Sequence, residues 1–340
     1  MTAPATGLGA GTGVLSAIGS TPLVELTRIF PDSAFRTFAK LESHNPGGSV
    51  KDRSALGMLL ERIQCGELIP GKSVVVESSS GNLGIGLAQV CRYFDLRFIC
   101  VVDPRTNQQN IAVMRALGAE VDLVTETDPV TGEYLPVRIR RVRELVARTP
   151  MAYCPDQYGN PLNARAHRQT MREIVEQLEG RLDYLLCATS SCGTLRGCSE
   201  YARELGLPVR IIAVDAIGSA IFDGPPGPRL IPGHGASVRP ALFAPDLADE
   251  VIHVGDLDCL IGCRLLARRE AILAGGSSGA VLSALDSIRR RVPAGSVCAV
   301  ILPDRGERYL DTIYSDSWAA EHFGEVGRLW EEPTVEASPC

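Results

Sequence analysis

Short runs of β-branched and apolar residues alternate along the chain with longer segments of helical period. Strands are expected at 37–42, at 73–77 (Ser-Val-Val-Val-Glu), and at 97–102, 120–124, 184–187, 210–215 and 297–302. Helices are expected at 51–65, 81–94, 107–117, 135–147 and 163–178, with a further one ending near 204. Short apolar strands separated by helices imply an α/β protein whose mainly parallel sheets are covered on both faces. With 340 residues, two lobes are a better expectation than one. The segment 216–249 breaks the rhythm. It contains Gly-Pro-Pro-Gly-Pro and Pro-Gly-His-Gly, so it reads as a long ordered loop or a cap.

Composition narrows the classes. Hydrophobic residues make up 45% and charged residues 22%, and the net charge of −6 gives no basic footprint for nucleic acid. No apolar run is long enough to span a bilayer. The first residues lack the charged and apolar regions of a signal peptide and read as a flexible tail. The 11 cysteines are scattered, with no Cys-x-x-Cys and no histidines at zinc spacing, so reduced thiols in a cytoplasmic protein and no metal site are expected.

Four turns carry candidate chemistry. In the first, Asn45-Pro-Gly-Gly-Ser-Val-Lys-Asp-Arg53, a Pro-Gly-Gly turn feeds a helix, and Ser49 and Asp52 have the spacing of a capping box. Lys51 would then lie at the positive end of the helix dipole, which disfavours a protonated amine. A neutral amine is what attacks an aldehyde. On local physics alone, an exposed lysine paired with an acid is the plainer reading. The second turn, Ser78-Ser-Ser-Gly-Asn-Leu83, offers Ser79, Ser80 and Asn82 at a helix start, where a carboxylate or phosphate can bind. Its spacing is not that of a dinucleotide fingerprint. The third, Ser190-Ser191-Cys192-Gly193-Thr194, gathers hydroxyls and backbone N–H groups at another helix start, and the fourth, Gly275-Gly-Ser277-Ser-Gly279, is a glycine turn before a helix. Each alone is compatible with a plain α/β turn. Together they mark the carboxyl ends of strands, where ligands of open sheets gather.

In that order, Asn-Pro-Gly-Gly-Ser-Val-Lys-Asp-Arg and Ser-Gly-Asn resemble the cysteine synthase and cystathionine β-synthase family of fold-type II (tryptophan synthase β-like) pyridoxal-phosphate enzymes, over nearly the whole chain. The resemblance implies pyridoxal 5′-phosphate attached to Lys51, which also acts as acid and base at the substrate's α-carbon. Asn82 would bond the cofactor's 3′-oxygen, and Ser79, Ser80 and Asn82 would frame the substrate carboxylate. Ser190, Ser191, Cys192, Gly193 and Thr194 would hold the phosphate, with Ser190 also near substrate, and Ser277 would face the pyridine nitrogen. A homodimer is implied as well.

Departures from plain cysteine synthases include Leu83, the Ser-Ser-Cys-Gly-Thr loop, Arg305 and Asp311. These resemble a narrower branch of the family that condenses O-phospho-L-serine with L-glutamate on the way to 2,3-diaminopropionate. In that branch Arg138 would bind the departing phosphate and Tyr158 would line its pocket. Arg138 sits in a run with Arg140, Arg141 and Arg143, so a solvated helix face is the competing reading. Sulfide or ammonia addition to an activated serine stays open, as does a non-catalytic ligand sensor on the same fold. His44 and His234 are not expected to be catalytic. The expected organisation is a tail at 1–14, a smaller mobile lobe at 48–153, a larger lobe from 15–47 and 154–327, and a loose end at 328–340.

Overall fold

The computed structural model describes residues 12–129, 132–225 and 227–330. Along the chain the elements are Leu23–Glu25 (β1), Arg36–Leu41 (β2), Lys51–Gln64 (α1), Val74–Ser78 (β3) and Asn82–Tyr93 (α2). Next come Arg97–Val102 (β4), Gln108–Ala116 (α3), Glu120–Leu123 (β5), Tyr134–Arg148 (α4), Ala152–Tyr153 (β6) and Pro161–Gln177 (α5). Then follow Tyr184–Ala188 (β7), Gly193–Glu204 (α6), Arg210–Ala216 (β8), Glu250–Val254 (β9) and Asp256–Glu270 (α7). Gly276–Ile288 (α8), Val297–Leu302 (β10) and Asp316–Phe323 (α9) complete the order.

Among the described residues the strands form two sheets, ordered β5-β4-β3-β6 and β1-β2-β10-β7-β8-β9. Every pairing is parallel except the antiparallel β1–β2 edge. The two-lobed α/β expectation holds, and the reason is legible in β3. All five of its residues are buried, as a central parallel strand covered on both faces requires. In the smaller sheet Val75, Phe98 and Cys100 pack under α2, while Val74, Val76 and Ile99 face Val142 of α4. The larger sheet likewise has one core against α7 and α8 and another against α5 and α6. Helices α7 and α8 cross in backbone contact. A Cβ on Gly262 would strike Gly279, and one on Gly279 would strike the Cys259 carbonyl. That close approach fixes where the start of α8 sits.

Among the described residues no helix or strand forms over 217–249, as the proline- and glycine-rich composition anticipates. Of the tail expected at 1–14, residues 1–11 lie outside the described residues, as do 331–340, while Val14 already begins a short 3-10 turn, Val14–Ala17. Residues 328–330, expected to begin a loose end, instead close on the larger lobe. Trp330 is buried, with the Arg264 guanidinium 4.2 Å from its ring centroid and Arg268 donating to its carbonyl. Among the described residues no helix is long and apolar enough to cross a membrane.

Candidate active site

A cavity of about 640 Å³ opens between the two sheets at the carboxyl ends of their strands. Its size suits a cofactor together with an amino acid. Lys51, the first residue of α1, lines it. The turn before Lys51 is locked by the Val50 N–H donating to the Pro303 carbonyl (2.7 Å) and by Gly48 at φ +83°, a conformation that favours glycine. The Ser49–Asp52 capping box does not form. The helix starts one residue later than that spacing requires, with Val50 at the cap, and the Asp52 carboxylate turns back to accept the Gly47 N–H at 2.5 Å. Burial pushes Asp52 up to about 7. The Lys51 amine is lowered, as expected, but the first cause is desolvation, opposed by Asp304 and Cys192. Among the described residues the amine has neither an ion pair nor a hydrogen bond.

The second turn joins β3 to α2. The Ser79 hydroxyl oxygen accepts the Gly84 N–H at 2.9 Å and the Gly81 N–H at 3.4 Å and so caps α2, which leaves its proton to offer the cavity. Ser80 and Asn82 line the same wall. Asn82 makes no cap bond. Its amide nitrogen donates to Asp304 (2.7 Å) and its carbonyl accepts from Arg308.

The third turn joins β7 to α6. Cys192 is the cap residue in the left-handed region (φ 64°), and its thiol, raised to about 12 by burial, is no nucleophile. Beside it Ser191 accepts the Asn163 amide (3.2 Å), and a Cβ on Gly193 would run into Asn163. Backbone therefore faces the cavity at the positive end of α6, where a phosphate binds well. Ser190 and Thr194 flank it. Ser277, at the start of α8, contributes a buried residue with a neutral hydroxyl to the cavity lining. The amine and the helix-start cradle, with a neutral hydroxyl in the same lining, fit an aldehyde-bearing phosphate ester.

Arg138 separates from its neighbours. Arg140 and Arg141 reach outward to Asp128 (3.6 Å) and Asp122 (2.8 Å), whereas the Arg138 side chain is 12% exposed, lies 3.3 Å from Asp103 and lines the cavity. Its Nε and Nη1 are buried without a hydrogen-bond partner. Tyr158 stands close enough for Arg138 to act on its titration, although burial dominates and raises it. The 217–249 segment supplies another wall through Arg229, Leu230 and His234. His234 is lowered to about 4 by burial and stays neutral, and His44 is exposed.

Sequence reading missed Asp304, Arg308 and Tyr309. Asp304 is buried at the end of β10, lines the cavity and accepts the Tyr309 hydroxyl at 2.5 Å. Its position at the carboxyl end of a strand, shared with the other site turns, was the available signal.

The geometry agrees with what the chain resembles. Residues 14–304 match the family model described as pyridoxal-phosphate dependent enzyme. A protein of Ralstonia nicotianae named N-(2-amino-2-carboxyethyl)-L-glutamate synthase is 45% identical over 308 residues, covering 90% of each chain. A protein of the same name from Cupriavidus metallidurans is 43% identical over 328 residues, 95% of this chain and 96% of that one. Among solved structures, an O-acetylserine dependent cystathionine β-synthase from Helicobacter pylori superposes with a TM-score of 0.82. It is 33% identical and covers 89% of this chain and 99% of its own.

Proposed function

The chain belongs to the family of pyridoxal-phosphate-dependent enzymes, and from that premise we propose that it joins O-phospho-L-serine to L-glutamate. The products are N-(2-amino-2-carboxyethyl)-L-glutamate and phosphate. A bond forms between the glutamate nitrogen and the serine β-carbon, the β-carbon–oxygen bond breaks, and the amine gives up a proton. The observation that carries the choice of donor is Arg138 in the cavity wall, a largely buried guanidinium whose Nε lies 3.3 Å from Asp103 and whose Nη1 has no partner. Such a group binds a phosphate through parallel hydrogen bonds and steadies it as it leaves. The two relatives bearing the synthase name support the choice of acceptor.

Pyridoxal phosphate, when bound, supplies the electron sink that lets the α-carbon release its proton and the β-substituent depart. Lys51 would hold it covalently, and the same amine, kept toward its neutral form by burial, would take and return the α-proton. Ser190, Ser191, Cys192, Gly193 and Thr194 hold the phosphate at the start of α6. Ser277 offers a neutral hydroxyl to the pyridine nitrogen. Asn82 bonds the 3′-oxygen, and with Ser79 and Ser80 it frames the substrate carboxylate. Tyr158 lines the donor pocket beside Arg138. The lobe at 48–153 closes on the lobe built from 15–47 and 154–327 and excludes water. The protein acts as a cytoplasmic homodimer.

The test pairs O-phosphoserine or O-acetylserine with glutamate, sulfide or ammonia and identifies products by mass. Condensation with glutamate, fastest from the phosphorylated donor, is expected. Cysteine as the sole product would sink the assignment of the acceptor.

A further inference from the structure

Asn82 begins α2 in the smaller lobe, yet both ends of its carboxamide are held by the segment that follows β10 in the larger one. The amide nitrogen donates to the Asp304 carboxylate at 2.7 Å, and the carbonyl oxygen accepts from the Arg308 guanidinium. Neither holder is free to drift. Asp304 accepts the Tyr309 hydroxyl at 2.5 Å and packs against Gly275, where any Cβ would strike its carboxylate. Arg308 also donates to the Gly47 carbonyl at 2.5 Å, in the turn before Lys51, while its own carbonyl accepts the Asn107 amide at 3.0 Å. The strand end is stitched to the lysine turn as well, through the Ser49–Asp304 bridge.

A carboxamide has a donor end and an acceptor end of nearly equal size, and a flip exchanges them. Toward an anionic or hydrogen-bond-accepting oxygen only the donor end attracts. A carboxylate beside the nitrogen and a guanidinium beside the oxygen both select the same orientation, each through a charge-assisted bond. After one amide hydrogen goes to Asp304, one remains. We propose that Asp304 and Arg308 are positioning residues that set the orientation of the Asn82 carboxamide, so that its remaining N–H faces the 3′-oxygen of the cofactor held on Lys51. The inference rests on the assignment of Asn82 to that oxygen given above.

The supporting shell of a binding group fixes its orientation and is felt in affinity when removed. Asp304→Asn offers Asn82 a partner that can itself flip, and Arg308→Met removes the cation from the carbonyl end. Each variant is expected to weaken cofactor binding about 10- to 100-fold, the loss of one charged hydrogen bond. Each should also change the ratio of the bound cofactor's long-wavelength absorbance bands, which reports the proton near the 3′-oxygen. The measurements are cofactor titration of the apo-protein, absorbance spectra across pH, and melting of the apo-protein as the folding control. Should buried Asp304→Asn fail to fold, half-buried Arg308→Met runs the same test from the other end.

The deciding arm is a double-mutant cycle with Asn82→Ala. If the clamp acts through Asn82, Asp304→Asn adds less than a twofold change and no new spectral shift in the Asn82→Ala background. An undiminished effect there would mean that Asp304 acts on the cofactor or on Lys51 directly, and the inference is overturned. Unchanged affinity and spectrum in both clamp variants overturns it too. If Asn82→Ala alone leaves the spectrum unaltered, the assignment of Asn82 is wrong and the inference goes with it.

Discussion

Lys40 and Lys51 lie near the start of the same helix, and burial lowers both amines, yet their surroundings are opposite. Lys40 is fully buried in β2 and its charge is answered. It meets Glu173 at 2.8 Å and the Thr21 carbonyl at 2.6 Å, beside an Arg53 that pairs with both Glu42 and Glu173 at 2.7 Å. Two cations and two carboxylates close a neutral cluster. Lys51, two residues before Arg53, points into the cavity with no ion pair among the described residues. One face of the first turn of α1 is therefore bolted to the larger lobe, while the next carries an amine with its reactivity intact. A buried cation is structural when its charge is matched at contact and chemically available when it is not.

The sharpest way to break that contrast is to remove the unpaired amine. Lys51→Ala should lower turnover by about 10²- to 10⁴-fold, the scale of a lost acid–base group. Borohydride should then trap no cofactor on the protein, and the apo-protein should still melt cooperatively. Failure of that variant to fold would place Lys51 with Lys40 as a structural cation.

Next in size is the closed cluster. Glu173→Ala leaves Lys40 and Arg53 short of a buried partner and should cost about 3–5 kcal/mol of stability in urea unfolding. A loss below about 1 kcal/mol would show that the cluster is not what anchors α1.

Acid tests the same carboxylate more gently. The Arg53 and Lys40 hydrogen bonds outweigh desolvation and hold Glu173 at about 2, below its ordinary 4.5. With the folded value depressed, the native state binds fewer protons than the unfolded chain between those values. The stabilisation is complete above about 4.5 and is lost as pH falls toward 2. It amounts to about 3 kcal/mol. Stability measured against pH should lose that slope in Glu173→Gln, and an unchanged slope would assign it to other carboxylates.

Arg138 stands between the two lysines, with Nε 3.3 Å from Asp103 and Nη1 buried without a hydrogen-bond partner. Arg138→Leu should raise KM for O-phosphoserine about 10- to 100-fold, with a much smaller change for O-acetylserine. Exposed Arg140→Ala should alter stability by less than about 0.5 kcal/mol and leave both KM values alone. Equal effects on the two donors would remove the phosphate role from Arg138.

What was legible in the sequence was local. The run at 97–102 forms β4 with those bounds, and the hydroxyl- and glycine-rich turns at 78–83, 190–194 and 275–279 meet around one cavity because each follows a strand or opens a helix. The capping box failed because Asp52 had a nearer donor in Gly47, a competition that spacing does not reveal. Helix α7 was not anticipated, since buried Arg264, paired with Asp316, and Gly262 interrupt its apolar stripe. Asp304 was invisible for a different reason. Its partner Asn82 is 222 residues away, and no local pattern encodes such a meeting.

The crossing of α7 and α8 at Gly262 and Gly279 carries a consequence for how this enzyme can change. Those two positions admit no side chain without parting the helices, and Ser277 lies only two residues before Gly279. Sequence drift is thereby blocked where the Ser277 hydroxyl is set, while the exposed turns of the 217–249 wall, which forms no helix or strand among the described residues, can accept insertions and exchanges. A saturation library over the whole chain should show the two glycines as an intolerant island beside a permissive segment. New substrate preferences would then be sought in the wall, with the island left untouched.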